Sequence, residues 1–203
     1  MGKHWLQEHN SDTYVKQSRL DGYRSRAVYK LAQIDALDHL FTAGMTIVDL
    51  GAAPGGWSQW VVQNKQLKVF ALDILPMDSL ANVTFIQGDF QEDEVLNKLL
   101  KLLNGSKVDL VMSDMAPNIS GVKDVDQARS MLLAELARDF AYEVLSPNGH
   151  FLTKVFQGEG FDFYIKDLRQ QFKKVVTRKP EASRARSAEV YLVGKNYLGE
   201  YKS

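Results

Sequence analysis

Short apolar runs ending in a polar or acidic residue recur along the chain. They fall at Met45–Asp49, Val69–Asp73, Val83–Gln87, Val108–Asp114, His150–Phe156, Val175–Arg178 and Glu189–Val193, and this pattern predicts seven strands. Between several of them the apolar spacing changes to three and four. Glu92–Leu103 carries Val95, Leu96, Leu99, Leu100 and Leu103 on one face, and Asp126–Leu145 carries Met131, Leu132, Leu136, Phe140 and Leu145. Phe161–Phe172, with Tyr164, Ile165, Leu168 and Phe172, is a third helical pattern. A fourth, Ser25–Leu40, precedes the first strand, with Ala27, Val28, Leu31, Ile34 and Leu37 on its apolar side. Strands alternating with helices predict an α/β fold with a mostly parallel sheet covered on both faces. Such sheets bind ligands beyond the carboxyl ends of their strands, so polar residues there carry the most weight.

At 203 residues, with no Pro/Gly/Ser-rich linker, the chain reads as a single domain over 1–203. Residues 1–40 form an N-terminal helical extension and residues 45–196 the core. The absence of cysteine excludes disulfides, thiolate metal sites and cysteine nucleophiles. The four histidines are scattered, so no metal site is expected. No apolar run is long enough to span a bilayer. The first nine residues lack the apolar core of a secretory signal, and a cytoplasmic protein is the expectation.

Formal net charge is zero, which taken alone argues against a nucleic-acid partner. Its distribution changes that picture. Residues 166–186 hold eight basic side chains against two acids, residues 1–30 hold six against three, and residues 73–143 hold thirteen acids against six bases. Basic ends around an acidic middle can present one cationic face to a phosphate backbone; solvated helix faces are the plainer explanation.

The strongest local motif is Val48-Asp-Leu-Gly-Ala-Ala-Pro-Gly-Gly-Trp-Ser58. A strand passes through a glycine-rich turn into a helix, which brings backbone N–H groups close to a ligand. The spacing fits neither a dinucleotide fingerprint nor a Walker loop, so a nicotinamide dehydrogenase is a poor alternative. Asp73 closes the second strand, where a carboxylate can accept both ribose hydroxyls. Asp89 follows the third strand and could accept from an adenine amino group, although it is equally well placed to cap a helix. Lys154 lies within the apolar run Phe151-Leu-Thr-Lys-Val-Phe156. A buried charge there is costly unless paired, and a buried lysine can have its pKa lowered enough to act as a base; snorkelling to a rim is the bland alternative. Asp114, at the end of the strand from Val108, either holds a cation or caps the turn before Pro117. Lys30 would pass as the polar face of a helix, and Glu189 as an ordinary strand-end acid.

Glycine turn, acid and acid at the ends of three successive strands resemble the Rossmann-like S-adenosylmethionine-dependent methyltransferase fold. The likeness is closer still. Asp49-Leu-Gly-Ala-Ala-Pro-Gly-Gly-Trp-Ser-Gln59, Ser113-Asp-Met-Ala-Pro-Asn118, Lys154-Val-Phe-Gln-Gly-Glu-Gly160, Ser183-Arg-Ala-Arg-Ser187 and Glu189-Val-Tyr191 all resemble the FtsJ/RrmJ (RlmE) family of ribosomal RNA ribose 2'-O-methyltransferases. Trp5-Leu-Gln-Glu-His9 and Arg24-Ser-Arg-Ala27 extend the resemblance over nearly the whole chain. It implies a seven-stranded sheet and S-adenosyl-L-methionine bound by Gly51, Pro54, Gly55, Gly56, Trp57, Asp73, Asp89 and Asp114. It also implies a catalytic tetrad of Lys30, Asp114, Lys154 and Glu189, with Lys154 as base or alkoxide stabiliser and Lys30 orienting the ribose. The implied substrate is a uridine in the A loop of 23S rRNA, within the large ribosomal subunit.

The RNA-facing residues are then expected to be Arg24, Arg26, Arg184 and Arg186, with Lys173, Lys174, Arg178 and Lys179 further out; arginine's fork suits phosphate. Tyr23 and Tyr29 are candidates for stacking on a splayed nucleotide. One departure is that only Met1–His4 precedes Trp5, where family relatives often carry a longer basic tail, which lowers the expected non-specific attachment to RNA. Two alternatives remain: a tRNA anticodon-loop ribose as substrate, or a non-catalytic RNA-binding ribosome assembly factor. Nothing in the pattern demands more than a monomer.

Overall fold

The computed structural model describes residues 12–184 and 187–199. Seven strands form one sheet: β1 (Thr46–Leu50), β2 (Lys68–Asp73), β3 (Val83–Gln87), β4 (Val108–Ser113), β5 (Leu145–Phe156), β6 (Phe172–Arg178) and β7 (Glu189–Tyr197). Their spatial order is β3-β2-β1-β4-β5-β7-β6. The first five run parallel, and β7 is antiparallel to both β5 and β6. The mostly parallel, seven-stranded expectation holds. Strand direction has no signature in apolar spacing, so the reversal of β7 lay outside what that spacing could tell. Its effect is specific: the start of β7 lies at the edge where β5 ends.

Among the described residues six helices accompany the sheet: α1 (Thr13–Leu20), α2 (Ala27–Asp38), α3 (Gly56–Asn64), α4 (Asp93–Leu103), α5 (Lys123–Val144) and α6 (Phe161–Gln171). Because strand side chains alternate, the two faces of the sheet feed two separate cores. One joins Val48, Leu50, Phe151 and Val155 to Val95, Leu99, Phe140, Tyr164 and Leu168 from α4, α5 and α6. The other joins Ile47, Leu110, Met112, Leu152, Tyr191 and Val193 to Leu31, Ile34, Trp57 and Val61 from α2 and α3. The catalytically implied lysines belong to this second face.

Helix α2 carries Val28, Leu31 and Ile34 inward as its spacing requires. Leu37, expected on the same apolar side, is instead 68% exposed, because the buried face runs through Val28, Leu31, Ile34, Asp35 and Asp38 and Leu37 falls beside it. The short helix α1 has no apolar stripe to betray it. It starts at Asp12, whose carboxylate accepts from Tyr14 N, an N-cap contact that satisfies one of the unpaired donors of the first turn. Among the described residues no helix is long and apolar enough to cross a membrane.

Candidate active site

The parallel strands deliver their carboxyl ends to one edge, and two loops there build the cofactor side. After β1 the chain turns at Gly51 (φ +76°), passes a cis Ala53–Pro54 peptide, and turns again at Gly55 (φ +105°) into α3. Side-chain-bearing residues disfavour this left-handed region, and space forbids one as well. A Cβ on Gly51 would stand 2.8–2.9 Å from Met115, backbone included, and one on Gly55 would stand 2.9 Å from Arg24 Nη1 and from Met77 Sδ. Asp73, the last residue of β2, accepts from Ala53 N and Leu75 N, both at 2.8 Å. It thereby fixes the turn after β1 to the loop after β2, and each oxygen keeps a second lone pair for a ligand hydroxyl. Asp89 accepts from Gln91 N at 2.9 Å. It forms a local turn three residues ahead of α4 rather than its N-cap, which is Glu92.

Asp49, on β1, is fully buried and accepts from Ser58 Oγ at 2.6 Å, while its Oδ1 has no protein partner. Burial pushes this carboxyl up to about 7, against the Ser58 hydrogen bond, and the nearby Asp114 and Asp73 add to the rise. Its signal in the sequence is the acid itself, inside an apolar strand next to the glycine motif.

The charged cluster follows from register. Ser113 of β4 pairs with Thr153 of β5, which sets Asp114 beside Lys154, and Lys154 pairs with Tyr191 of β7. Lys154, 9% exposed, does not snorkel. Its Nζ lies 3.2 Å from Asp114 Oδ1 and donates to the Asp114 backbone carbonyl at 2.6 Å. From α2, Lys30 Nζ reaches Glu189 Oε1 at 2.7 Å and Tyr191 Oη at 3.1 Å. Tyr191 Oη in turn donates to Asp114 Oδ1 at 2.8 Å, and Ser183 Oγ donates to Glu189 Oε1 at 2.9 Å. The four tetrad positions thus form two ion pairs joined through one phenol. Burial raises the Asp114 carboxyl, but Lys154, Lys30 and the Tyr191 hydroxyl outweigh it and hold the group below the usual carboxylate range. Burial, with Asp114 and Glu189 alongside, lifts the Tyr191 phenol well above its ordinary value, so it stays protonated and able to donate.

Tyr191 is the site residue that residue-by-residue reading missed. In Glu189–Val193 it looks like any aromatic strand residue, and only its pairing with Lys154 distinguishes it.

The expected RNA contacts fare unevenly. The Arg24 guanidinium donates to the carbonyls of Pro54, Asp78 and Ser79 at 3.3, 2.7 and 3.0 Å. Arg26 pairs with Asp12 and donates to the Ala182 carbonyl; burial and the neighbouring Arg184 charge lower its pKa. Arg186 lies outside the described residues, as do Trp5–His9 and the Met1–His4 tail. Arg178 makes a two-pronged pair with Asp38, at 2.7 and 3.0 Å. Lys179 donates to the Ser187 carbonyl. Lys173, the second residue of β6, donates to Asn148 Oδ1 at the opposite edge of the sheet from Lys154. Tyr29 packs against Tyr14 and Tyr23 and donates to Asp21.

A glycine turn that tolerates no Cβ, an acid closing β2 and an acid after β3 define an S-adenosylmethionine-dependent methyltransferase. The residues present fit that cofactor, since the close approaches at Gly51 and Gly55 and the Asp73 carboxylate supply backbone proximity and hydroxyl acceptors. The chain belongs to the FtsJ-like methyltransferase family, whose model matches residues 23–197. It is 61% identical over 197 residues to ribosomal RNA large subunit methyltransferase E of Chromohalobacter salexigens, covering 96% of this chain and 94% of that protein. With the protein of the same name from Hydrogenovibrio crunogenus it shares 59% over 193 residues, 94% of each chain. Among solved structures, one named as a ribosomal RNA methyltransferase from Plasmodium falciparum superposes with a TM-score of 0.77 at 33% identity. That match covers 88% of this chain and all of the other.

Proposed function

We propose that this protein transfers the methyl group of S-adenosylmethionine to a ribose 2'-hydroxyl of large-subunit ribosomal RNA, at a uridine in the A loop of 23S rRNA within the large subunit. It acts as a cytoplasmic monomer. When bound, the cofactor would supply a sulfonium methyl for in-line attack by the ribose oxygen. Positioning dominates such a step, and the protein adds a proton acceptor and stabilisation where charge develops. Lys154 acts as the base: with two N–H groups engaged on Asp114, its lone pair takes the 2'-hydroxyl proton, and the ammonium so formed keeps its third donor on that oxygen. Asp114, kept ionised, fixes the direction of that donor. Lys30 and Glu189 hold the opposite side, with Tyr191 between them, and orient the ribose. Arg184, in the β6–β7 loop, contacts the phosphate backbone, together with Arg186 two residues on in the sequence.

The observation that carries the proposal is the meeting of the Lys154–Asp114–Tyr191–Lys30–Glu189 chain with the glycine turn at one sheet edge; the backbone N–H of Asp114 donates to Leu50, the residue before Gly51, at 3.1 Å. The relatives named as large-subunit methyltransferases support the choice of RNA. Radiolabelled cofactor offered with large subunits, free 23S rRNA or tRNA, followed by mapping of the modified nucleotide, tests it. Label on a ribose of the A loop is expected. Label on tRNA alone overturns the substrate, and none on any RNA overturns the enzyme reading.

A further inference from the structure

Arg24 reads in the sequence as a phosphate-binding arginine, but its surroundings give its guanidinium other work. Nη1 donates to the carbonyl of Pro54, inside the glycine turn, and to that of Asp78; Nη2 donates to that of Ser79. Asp78 and Ser79 lie in the loop between β2 and β3, which begins just after Asp73. One planar side chain therefore ties together the two loops that flank the cofactor side of the site. It is itself anchored: Arg24 N donates to the buried Gln59 Oε1 at 2.9 Å, and Gln59 Nε2 donates to the Gly22 carbonyl at 2.9 Å. Trp57 Nε1 donates to the Ala27 carbonyl at 2.8 Å, and Ser25 lies against Gly56. Residues 22–27 are thus laid along the first turns of α3 by contacts on both sides of Arg24.

We propose that Arg24 is a positioning residue for S-adenosylmethionine, a staple that sets the spacing between the glycine turn and the β2–β3 loop. The proposal rests on the cofactor reading of that turn. Three features argue for it. First, a guanidinium has five donors in a rigid fork and can hold carbonyls on two walls at once, whereas a lysine ammonium at the end of a flexible stem is a single point. Second, Arg24 Nη1 and Cδ stand 2.9 and 3.2 Å from where a Cβ on Gly55 would lie, so the guanidinium stem packs directly on the bare face of the turn. Third, the segment that carries Arg24 is itself fastened to α3 through Gln59 and Trp57, so the fork is held in place from behind. A ligand that needs both walls in register binds less well when one wall can drift, because it must then supply the ordering.

Calorimetric titration of the full-length protein with S-adenosylhomocysteine tests this in R24K and R24A. Loss of hydrogen bonds to a charged group predicts affinity lower by about tenfold in both variants. Steady-state assays on large subunits should show the same rise in KM for S-adenosylmethionine, with kcat within about twofold. Binding of a fluorescein-labelled single-stranded RNA by R24K, measured across salt concentrations, should keep the wild-type slope. Wild-type S-adenosylhomocysteine affinity in R24K overturns the staple. So does a variant that binds S-adenosylhomocysteine normally but melts at lower temperature, or one that loses only RNA affinity with a shallower slope. Asp73→Ala separates the two claims. Unchanged S-adenosylhomocysteine affinity there sinks the glycine-turn reading itself, whereas a weakened Asp73→Ala beside a normal R24K sinks the staple alone.

Discussion

The rim over β1, β2 and β3 and the charged cluster over β4, β5 and β7 share one sheet edge but are made of different material. On the cofactor side the shape comes from the backbone. Gly51 and Gly55 take left-handed conformations, a Cβ on Gly51 would meet the Met115 backbone, and Asp73 holds the loops by accepting main-chain N–H groups. On the chemistry side the shape comes from side chains held in strand register. Lys154, Asp114, Tyr191, Lys30 and Glu189 are linked by contacts of 2.7–3.2 Å. A backbone-built site fails when atoms are added, and a side-chain-built site fails when atoms are removed. The two regions should therefore break under opposite kinds of substitution.

The sharpest separation is Lys154→Ala. On the proposed role of Lys154, removing its amine should lower kcat on large subunits by about 10³-fold or more, while calorimetry finds S-adenosylhomocysteine affinity within about threefold of wild type. Turnover near normal would show that the cluster is not where the chemistry occurs. Gly51→Ala should do the converse. A methyl group forced against the Met115 backbone from a left-handed residue should weaken S-adenosylhomocysteine binding by roughly 100-fold, read by the same calorimetry.

Asp49 sharpens the contrast from beneath the cofactor side. Its carboxyl, raised by burial to about 7, ionises near 3.9 in the unfolded chain. Between those values the folded state binds more protons than the unfolded state, so this group makes stability fall as pH rises through the window. Asp49→Asn should flatten the dependence, by on the order of 2 kcal/mol between pH 5 and pH 8 in urea unfolding. A parallel wild-type and variant profile would mean that Asp49 is ionised throughout. The smallest effect is expected for Tyr191→Phe. The ring and its packing remain but the bridge from Lys30 to Asp114 is lost, so kcat should drop roughly five- to tenfold with cofactor affinity intact.

Most of the sheet was legible because its central strands β1, β2 and β4 are continuous apolar runs buried on both faces. Val83–Gln87 agrees to the residue, and the β1, β2 and β4 runs agree to within one residue at each end. β6 and β7 extend beyond their apolar runs, into Phe172-Lys-Lys and Gly194–Tyr197, because pairing with a neighbouring strand continues where hydrophobicity does not. The cofactor side was legible for a related reason: glycine spacing and strand-end acids are local in sequence. The chemistry side was not. Lys30 and Glu189 are 159 residues apart, and each looks ordinary alone; only family resemblance joined them before the fold did. Arg24 and Arg26 show the limit most clearly. Their partners include main-chain carbonyls at Asp78, Ser79 and Ala182, and a carbonyl has no letter in the sequence.

The reversal of β7 has one more outcome. A parallel seventh strand would have to be entered from the far side of the sheet. Here a hairpin leaves β6 at Arg178 and re-enters at Glu189, so the connection starts and ends at the edge where Lys154 lies. Ser183 in that connection donates to Glu189, and Ala182 accepts from Arg26 and donates to Gln33. Insertions or exchanges between the two anchors therefore leave the strand ladder in step but reach the charged cluster directly, through a single hydroxyl.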